Sequence, residues 1–221
     1  MRPPFSIIYL LIFIFILSLL MALVQLGLVT IAFDKLGLSL SSALLLLFTS
    51  LFGSAINLPL FSIQAEPGNP QSFPPLRGLL NQPSRPFHGK TIIAMNVGGC
   101  LIPVTFSLYL IQQHQLTWLD IIVATGIVTT VCHLVSRPVA GLGIGMPILI
   151  APLTAAITAL LLSTEHSAPL AYISGTLGVL IGADLLRLKN IRQMGTPLAS
   201  IGGAGTFDGI FLTGIVAVLL A

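Results

Sequence analysis

Two aspartates near the C-terminal end of the sequence are the residues whose type and spacing best suit them to chemistry. Asp184 lies in the apolar stretch GVLIGADLL, and Asp208 follows the glycine-rich stretch GGAGTF. Two carboxyl groups that share a poorly hydrated site cannot both ionise at low cost, so one of them keeps its proton. The charged group can then take a proton from water while the protonated group polarises a carbonyl, which is general acid–base catalysis of hydrolysis.

Two consecutive apolar segments, joined by a short basic loop, must position these acids. If both segments are helices, they are antiparallel, and Asp184 lies ~6 Å from the end of the first one. Asp208 lies ~9 Å from the same end of the second segment. Because neighbours in sequence are usually neighbours in space, we expect Asp184 and Asp208 to face each other as a catalytic pair.

The residues just before Asp208 are the predicted access route for water and substrate. They are Gly202, Gly203, Gly205 and Thr206. The glycines disfavour a rigid helix at the start of this segment. An unwound backbone there could admit water and pair with an extended substrate strand.

Three other polar side chains are candidates for supporting the acids. Asn57 precedes Pro59 and Asn96 precedes a glycine pair, so each places an amide where a helix is expected to be broken. Packing and kinking are the alternative role for both asparagines. Arg137 is either a topology anchor at the cytoplasmic end of a helix or the counter-ion of one of the acids.

Purely structural roles are the alternative for each acid. Asp184 lies three residues before Arg187, so the two side chains could form an ion pair on one helix face. Asp208 could hydrogen-bond to backbone groups that the glycines leave free. For Asp120 the structural role is preferred, because an acid in the first turn of a helix complements the helix dipole.

Neither a metal site nor an organic cofactor is expected. Cys100 and Cys132 lie in apolar runs and are interpreted as small buried side chains. His88, His114 and His166 are scattered in predicted loops or at helix ends, which does not favour a metal site.

The composition is that of an integral membrane protein. Of the 221 residues, 55% are hydrophobic and only 7% are charged, and the mean hydropathy is +1.04. A soluble domain carries about 25% charged residues. We therefore predict a single all-α membrane domain over residues 1–221 in the inner or plasma membrane, and the net charge of +3 does not indicate a nucleic-acid partner.

Apolar runs of about 20 residues predict seven transmembrane helices. The predicted ranges are 5–33, 38–63, 91–113, 117–135, 144–163, 169–188 and 197–221. With the N-terminus in the cytoplasm, eight of the nine Lys and Arg residues fall on the cytoplasmic side, which favours an external C-terminus. The proline-rich segment 64–90 is predicted to be an extended cytoplasmic loop.

The last two predicted helices resemble those of a known group of enzymes. ADLL at 183–186 and GAGTFDG at 203–209 resemble the two-aspartate arrangement of the presenilin, signal-peptide-peptidase and prepilin-peptidase group. The resemblance implies an intramembrane aspartyl protease with Asp184 and Asp208 as its catalytic pair. It implies a membrane-spanning polypeptide as substrate and no metal or cofactor.

Five stretches spread over most of the chain carry a second resemblance: INLP (56–59), NVGGCLIP (96–103), SRPVAGLGIGMP (136–147), GVLIGADLL (178–186) and GGAGTFDGIFLTG (202–214). With these stretches the chain as a whole resembles a prokaryotic family of multi-pass membrane proteins, domain of unknown function 1614. The resemblance brings no activity with it.

Two further function classes stay open from the sequence. Intramembrane acids and broken helices are also typical of proton- or cation-coupled transporters and channels. A non-catalytic membrane scaffold, whose polar groups only set helix packing, fits the same composition. For every class the bilayer is the expected partner, and a transmembrane polypeptide is the expected substrate of the first.

Overall fold

The structure, a computed structural model, describes residues 7–25, 27–64, 90–139, 143–191, 198–203 and 209–221. Most of these residues are helical. The helices are α1 (Ile7–Gln25), α2 (Leu28–Lys35), α3 (Leu40–Gly53), α4 (Ile102–Gln113), α5 (Trp118–Val135), α6 (Ile150–Leu162), α7 (Ser167–Val179), α8 (Leu188–Ile191) and α9 (Gly209–Leu220). Two π-helical segments, Val97–Leu101 and Leu180–Asp184, lie directly before α4 and directly after α7.

Two of the predicted helical ranges are confirmed as long apolar helices. Residues 118–135 form α5, and residues 167–190 form a continuous helix that begins with α7. By length and composition these two helices are sufficient to cross a membrane. They match the predicted ranges 117–135 and 169–188.

The prediction of a helical fold is confirmed in part: the described residues are mostly helical, but strands also occur, chiefly within the other apolar runs. They are β1 (Asn57–Gln64), β2 (Lys90–Asn96), β3 (Arg137–Val139), β4 (Gly143–Gly145) and β5 (Leu198–Ile201). Pro59 is incompatible with the interior of a helix, and the β-branched residues Thr91, Ile92 and Ile93 favour extended backbone. An apolar run does not by itself separate a buried strand from a helix.

The first predicted helix, 5–33, is interrupted. Gly27 has φ +74° and separates α1 from α2. A left-handed residue cannot continue a right-handed helix, so this apolar run is divided into two shorter helices.

Three of the strands form one sheet in the order β1-β2-β5. β1 and β2 are antiparallel, with Asn57 paired to Asn96 at one end and Gln64 to Lys90 at the other. β5 joins β2 in parallel. The predicted loop 64–90 thus begins and ends in strands, and its residues 65–89 lie outside the described part of the chain.

Helix α7 lies at the centre of the fold, with nearly all of its side chains buried. α5 approaches its glycine face closely, because a Cβ at Gly178 would lie 2.5 Å from Cγ1 of Val128. α9 packs on another face and runs antiparallel to α7. Tyr172 contacts Gly214, and Ser167 Oγ donates a hydrogen bond of 3.2 Å to the carbonyl of Ala221.

Candidate functional site

Asp184 is the last residue of the π-helical segment that follows α7. Its Oδ2 accepts a hydrogen bond of 2.7 Å from the backbone N–H of Gly202. π-helical segments insert one extra residue per turn and occur frequently at functional sites. The carboxylate therefore connects the end of the central helix to the glycine-rich segment that was predicted to serve as its access route.

The turn that binds Asp184 requires glycine. Gly202 has φ +83° and Gly203 has φ +120°, which are backbone conformations that other residues rarely adopt. A Cβ at Gly202 would also lie 2.7 Å from the carbonyl oxygen of Gly99 and 2.7 Å from Cβ of Cys100. The turn is therefore packed directly against the π-helical segment Val97–Leu101.

A hydrogen-bonded polar network holds the strand that precedes this turn. Asn57 Oδ1 accepts hydrogen bonds from Ser200 Oγ at 2.5 Å and from Asn96 Nδ2 at 3.1 Å. Asn96 Nδ2 also donates to the Ser54 carbonyl at 2.7 Å, and Asn96 Oδ1 accepts from the Gly99 N–H at 2.8 Å. The predicted candidates Asn57 and Asn96 are thus brought together, and they join all three strands of the sheet.

Arg187 does not pair with Asp184. Its Nη2 donates to the carbonyls of His133 and Ser136, and its Nε donates to Ser136 Oγ at 3.2 Å. These acceptors lie at the C-terminal end of α5, where carbonyl groups have no helical partner. The alternative role considered for Asp184, an ion pair with Arg187, is therefore not observed, because the guanidinium binds these carbonyls instead.

Arg137 is not part of the described site. It begins β3, and its side chain is exposed. It forms neither a hydrogen bond nor an ion pair with Asp184. Asp120 lies in the first turn of α5, as predicted.

The predicted residues Gly205, Thr206 and Asp208 lie outside the described residues. The pairing of Asp184 with Asp208 therefore stays a prediction. Sequence reasoning missed Ser200, whose hydrogen bond to Asn57 depends on the pairing of distant strands. It also missed the contact of Cys100 with the Gly202 turn. The signal available for the second contact was the pair Gly98–Gly99, which permits close backbone approach.

The chain belongs to the family described as "Protein of unknown function (DUF1614)", which it matches over residues 51–220. The matched region includes both aspartates and all three strands of the larger sheet. No curated protein and no solved structure matches the chain.

Proposed function

We propose that the protein is an intramembrane aspartyl protease in which Asp184 and Asp208 form the catalytic pair. The observation that carries the proposal is the hydrogen bond between Asp184 and Gly202. It ties the acid of the central helix to the segment that reaches Asp208 six residues later. The resemblance of ADLL and GAGTFDG to the presenilin group supports the same pair.

The packing of α9 on α7 supports a similar depth for the two acids. Tyr172 lies against Gly214, and Ser167 lies against Ala221, in an antiparallel register. Extending this register to the residue before Gly209 would bring it opposite about residue 180, roughly one helical turn from Asp184. A separation of about one turn, or ~5 Å along the axis, is within reach of two aspartate side chains.

The proposed chemistry is hydrolysis of a peptide bond by the two carboxyl groups. The ionised group takes a proton from water as the water oxygen attacks the scissile carbonyl carbon, while the protonated group donates its proton to the carbonyl oxygen. When the C–N bond breaks, the leaving nitrogen takes a proton from the acid pair, and a hydroxyl group of the tetrahedral intermediate returns a proton to the pair as the carboxyl group forms. The products are a new carboxyl terminus and a new amino terminus. The pair titrates as one unit, so neither acid is assigned the proton at the outset.

The sheet offers a way to hold an extended substrate. Within the described residues β5 pairs only with β2, and its other edge is the proposed place for a further strand. In a helical substrate the backbone hydrogen bonds of the helix shield the peptide bond. If the substrate unwound and added a strand to the sheet, its peptide bond would lie in extended form beside Gly202. Water would reach the pair through the turn formed by Gly202 and Gly203, and Gly205 and Thr206 are proposed to widen this route.

The proposed setting is the cell membrane. The continuous helix over residues 167–190 would place Asp184 near its cytoplasmic end. Seven membrane-crossing segments with a cytoplasmic N-terminus and an external C-terminus are the arrangement favoured by the distribution of basic residues. The strands are then expected to lie near the cytoplasmic surface, where β2 is largely buried and β1 is exposed along most of its length.

Cleavage by purified protein tests the proposal. The full chain in detergent micelles or liposomes is incubated with reporter polypeptides that each contain one transmembrane segment, and the products are identified by mass spectrometry. Asp184→Asn and Asp208→Asn should each abolish cleavage while circular dichroism and elution volume stay unchanged. Asp120→Asn is the matched control and should retain cleavage. Cleavage that survives either of the first two substitutions would exclude the proposed pair.

A proton- or cation-coupled transporter is the second candidate function. It is favoured by the hydroxyl groups of Thr125, Thr129 and Thr176, which are buried without a hydrogen-bond partner among the described residues. Buried polar groups without a partner are rare, and a water or ion path would satisfy them. Ion-dependent flux into liposomes, with no polypeptide cleavage, would favour this candidate over the protease.

A further inference from the structure

Two histidines lie together at the end of the fold opposite the aspartate site. His114 ends α4, where its backbone N–H donates to the Leu110 carbonyl at 3.0 Å, and His166 directly precedes α7. Their ring centroids are 6.0 Å apart, with an angle of 55° between the ring planes. Asp184 follows His166 by 18 residues along one helix, or about 27 Å. The histidine pair is therefore separate from the proposed catalytic site.

One ring nitrogen of this pair needs a partner. His114 Nε2 is buried and forms no hydrogen bond within the described part of the chain. In either tautomer it is a hydrogen-bond donor or an acceptor, and buried groups of this kind are nearly always satisfied by protein, water or an ion. The neighbouring imidazole of His166 makes a metal ion an appropriate partner, because a neutral ring nitrogen is a ligand that suits Zn²⁺ and Cu²⁺.

The spacing of the rings is compatible with one shared ion. With a metal–nitrogen distance of about 2.05 Å, each ring centroid would lie about 3.2 Å from the ion. A tetrahedral angle would then separate the two centroids by about 5.3 Å, and a linear arrangement by about 6.4 Å. The observed centroid distance of 6.0 Å lies between these limits.

We propose that His114 and His166 form a two-histidine site for a divalent transition metal, Zn²⁺ in the first instance. Among the described residues no group of three His, Cys, Asp or Glu side chains gathers around an ion. The two imidazoles are thus the protein ligands that the described residues supply to the proposed ion. A site with only two protein ligands binds its metal exchangeably and is suited to sensing or transient stabilisation of the junction between α4 and α7.

Metal titration of the intact protein tests the site. The full chain is purified in detergent with a tag that contains no histidine, treated with a chelator, and titrated with Zn²⁺ against a coloured competing chelator. We expect one Zn²⁺ per chain, tighter binding of Cu²⁺, and no binding of Mg²⁺, since hard cations prefer oxygen ligands. His114→Gln and His166→Gln should each weaken Zn²⁺ binding at least about tenfold, because each removes one of the two protein ligands.

His133→Gln is the matched control, because His133 lies in α5 and its Nδ1 contacts the Gly182 carbonyl at 3.2 Å. It should leave Zn²⁺ binding unchanged. Electron paramagnetic resonance of the Cu²⁺ form gives an independent readout. It should show coupling to two nitrogens in the wild type and to one in each single variant, provided that the variants elute as the wild type does.

Equal Zn²⁺ affinity in the wild type and in the double variant His114→Gln/His166→Gln would overturn the proposal. So would a Cu²⁺ spectrum without nitrogen coupling. Asp184→Asn should not alter metal binding, so failure of the metal site and failure of the protease proposal are distinguishable.

Discussion

Substitution of Gly202 by alanine probes the contact on which the site depends. At φ +83° an L-residue is strained by about 1–2 kcal/mol. The added Cβ would also lie 2.7 Å from the carbonyl carbon and oxygen of Gly99. These are backbone atoms that cannot rotate away, and relieving such an overlap typically costs about 1–3 kcal/mol.

The substitution also threatens the hydrogen bond to Asp184. Moving the turn to relieve the overlap lengthens the 2.7 Å contact between Gly202 N and Asp184 Oδ2. A hydrogen bond to a charged acceptor contributes about 1.5–3 kcal/mol. Because the same movement relieves the overlap and weakens this bond, the three contributions are not fully additive. We expect Gly202→Ala to lower the free energy of unfolding by about 3–5 kcal/mol.

Thermal unfolding followed by circular dichroism in mild detergent measures this effect. For a chain of this size about 2–4 °C of Tm corresponds to 1 kcal/mol, so the expected decrease is roughly 10 °C. Gly126→Ala is the matched control, because a Cβ at Gly126 of α5 meets no atom within 4 Å. It should leave the Tm unchanged or raise it slightly, since alanine is favoured over glycine in a helix by about 1 kcal/mol.

An unchanged Tm in Gly202→Ala, with Gly126→Ala behaving as expected, would refute the reasoning. It would mean that the Gly202 turn is not packed against Gly99. In that case the link between Asp184 and the glycine-rich segment would lose its structural support. Cleavage assays on the same sample extend the test, because a displaced turn should also abolish the proposed protease activity.

Two further pairs of substitutions should affect stability in a defined order. Arg187→Gln removes the donors that satisfy the carbonyls at the end of α5, so it should lower the free energy of unfolding by about 1–3 kcal/mol. Arg137→Gln is the control, because this side chain is exposed, and it should change the Tm by less than a degree or two. Equal effects of the two substitutions would contradict the assigned role of Arg187. Asn96→Leu should lower the Tm more than Asn57→Leu. Asn96 is only 1% exposed, and its loss removes the hydrogen-bond partner of the Ser54 carbonyl and of the Gly99 N–H. The reverse order in urea or thermal unfolding would show that the network does not depend mainly on Asn96.

The two uninterrupted apolar helices were predictable from the sequence. Residues 118–135 and 167–190 contain no proline in their interiors beyond the first turn, and their length matches a membrane-spanning helix. The strands were not predicted, because hydropathy alone does not distinguish a short buried strand such as β2 or β5 from part of an apolar helix. Pro59 and the run Thr91–Ile93 were local signals for extended structure. The parallel pairing of β2 with β5 joins residues more than 100 positions apart, so no local pattern predicts it.

The candidate site was predictable in its members and not in its contacts. Asp184, Asn57 and Asn96 stood out because polar groups are unusual in apolar segments, and Gly202 stood out because it begins a cluster of glycines that disfavours a helix. The hydrogen bond to Gly202 depends on the position of β5, which is set by the sheet. The alternative ion pair of Asp184 with Arg187 is absent for a similar reason, since the partners of Arg187 lie in α5, a helix distant in sequence.

The close approach of α5 to α7 explains the position of Arg187. Gly182 contacts the Thr129 carbonyl directly, and Gly178 contacts Val128, so the two helices lie side by side without large side chains between them. The C-terminal carbonyls of α5 therefore come within reach of Arg187, one turn beyond Gly182. Because the guanidinium of Arg187 binds these carbonyls, it does not pair with Asp184. Asp184 instead accepts its hydrogen bond from a neutral amide, the N–H of Gly202.

The position of that amide is set by three parts of the chain that are distant in sequence. β2 holds β5 in parallel register, the oxygen of Asn57 holds Ser200 of β5, and the π-helical segment at Gly99 supports the turn from the other side. Each of these supports comes from a different element, so the carboxylate of Asp184 faces a fixed donor and not a mobile loop. A neutral donor stabilises the charged form of Asp184 less than the full charge of an arginine would, so this group can more easily take up a proton from a second acid. This is the property that a shared-proton pair requires, and it is why the absence of an ion pair with Arg187 favours a chemical role for Asp184 over a purely structural one.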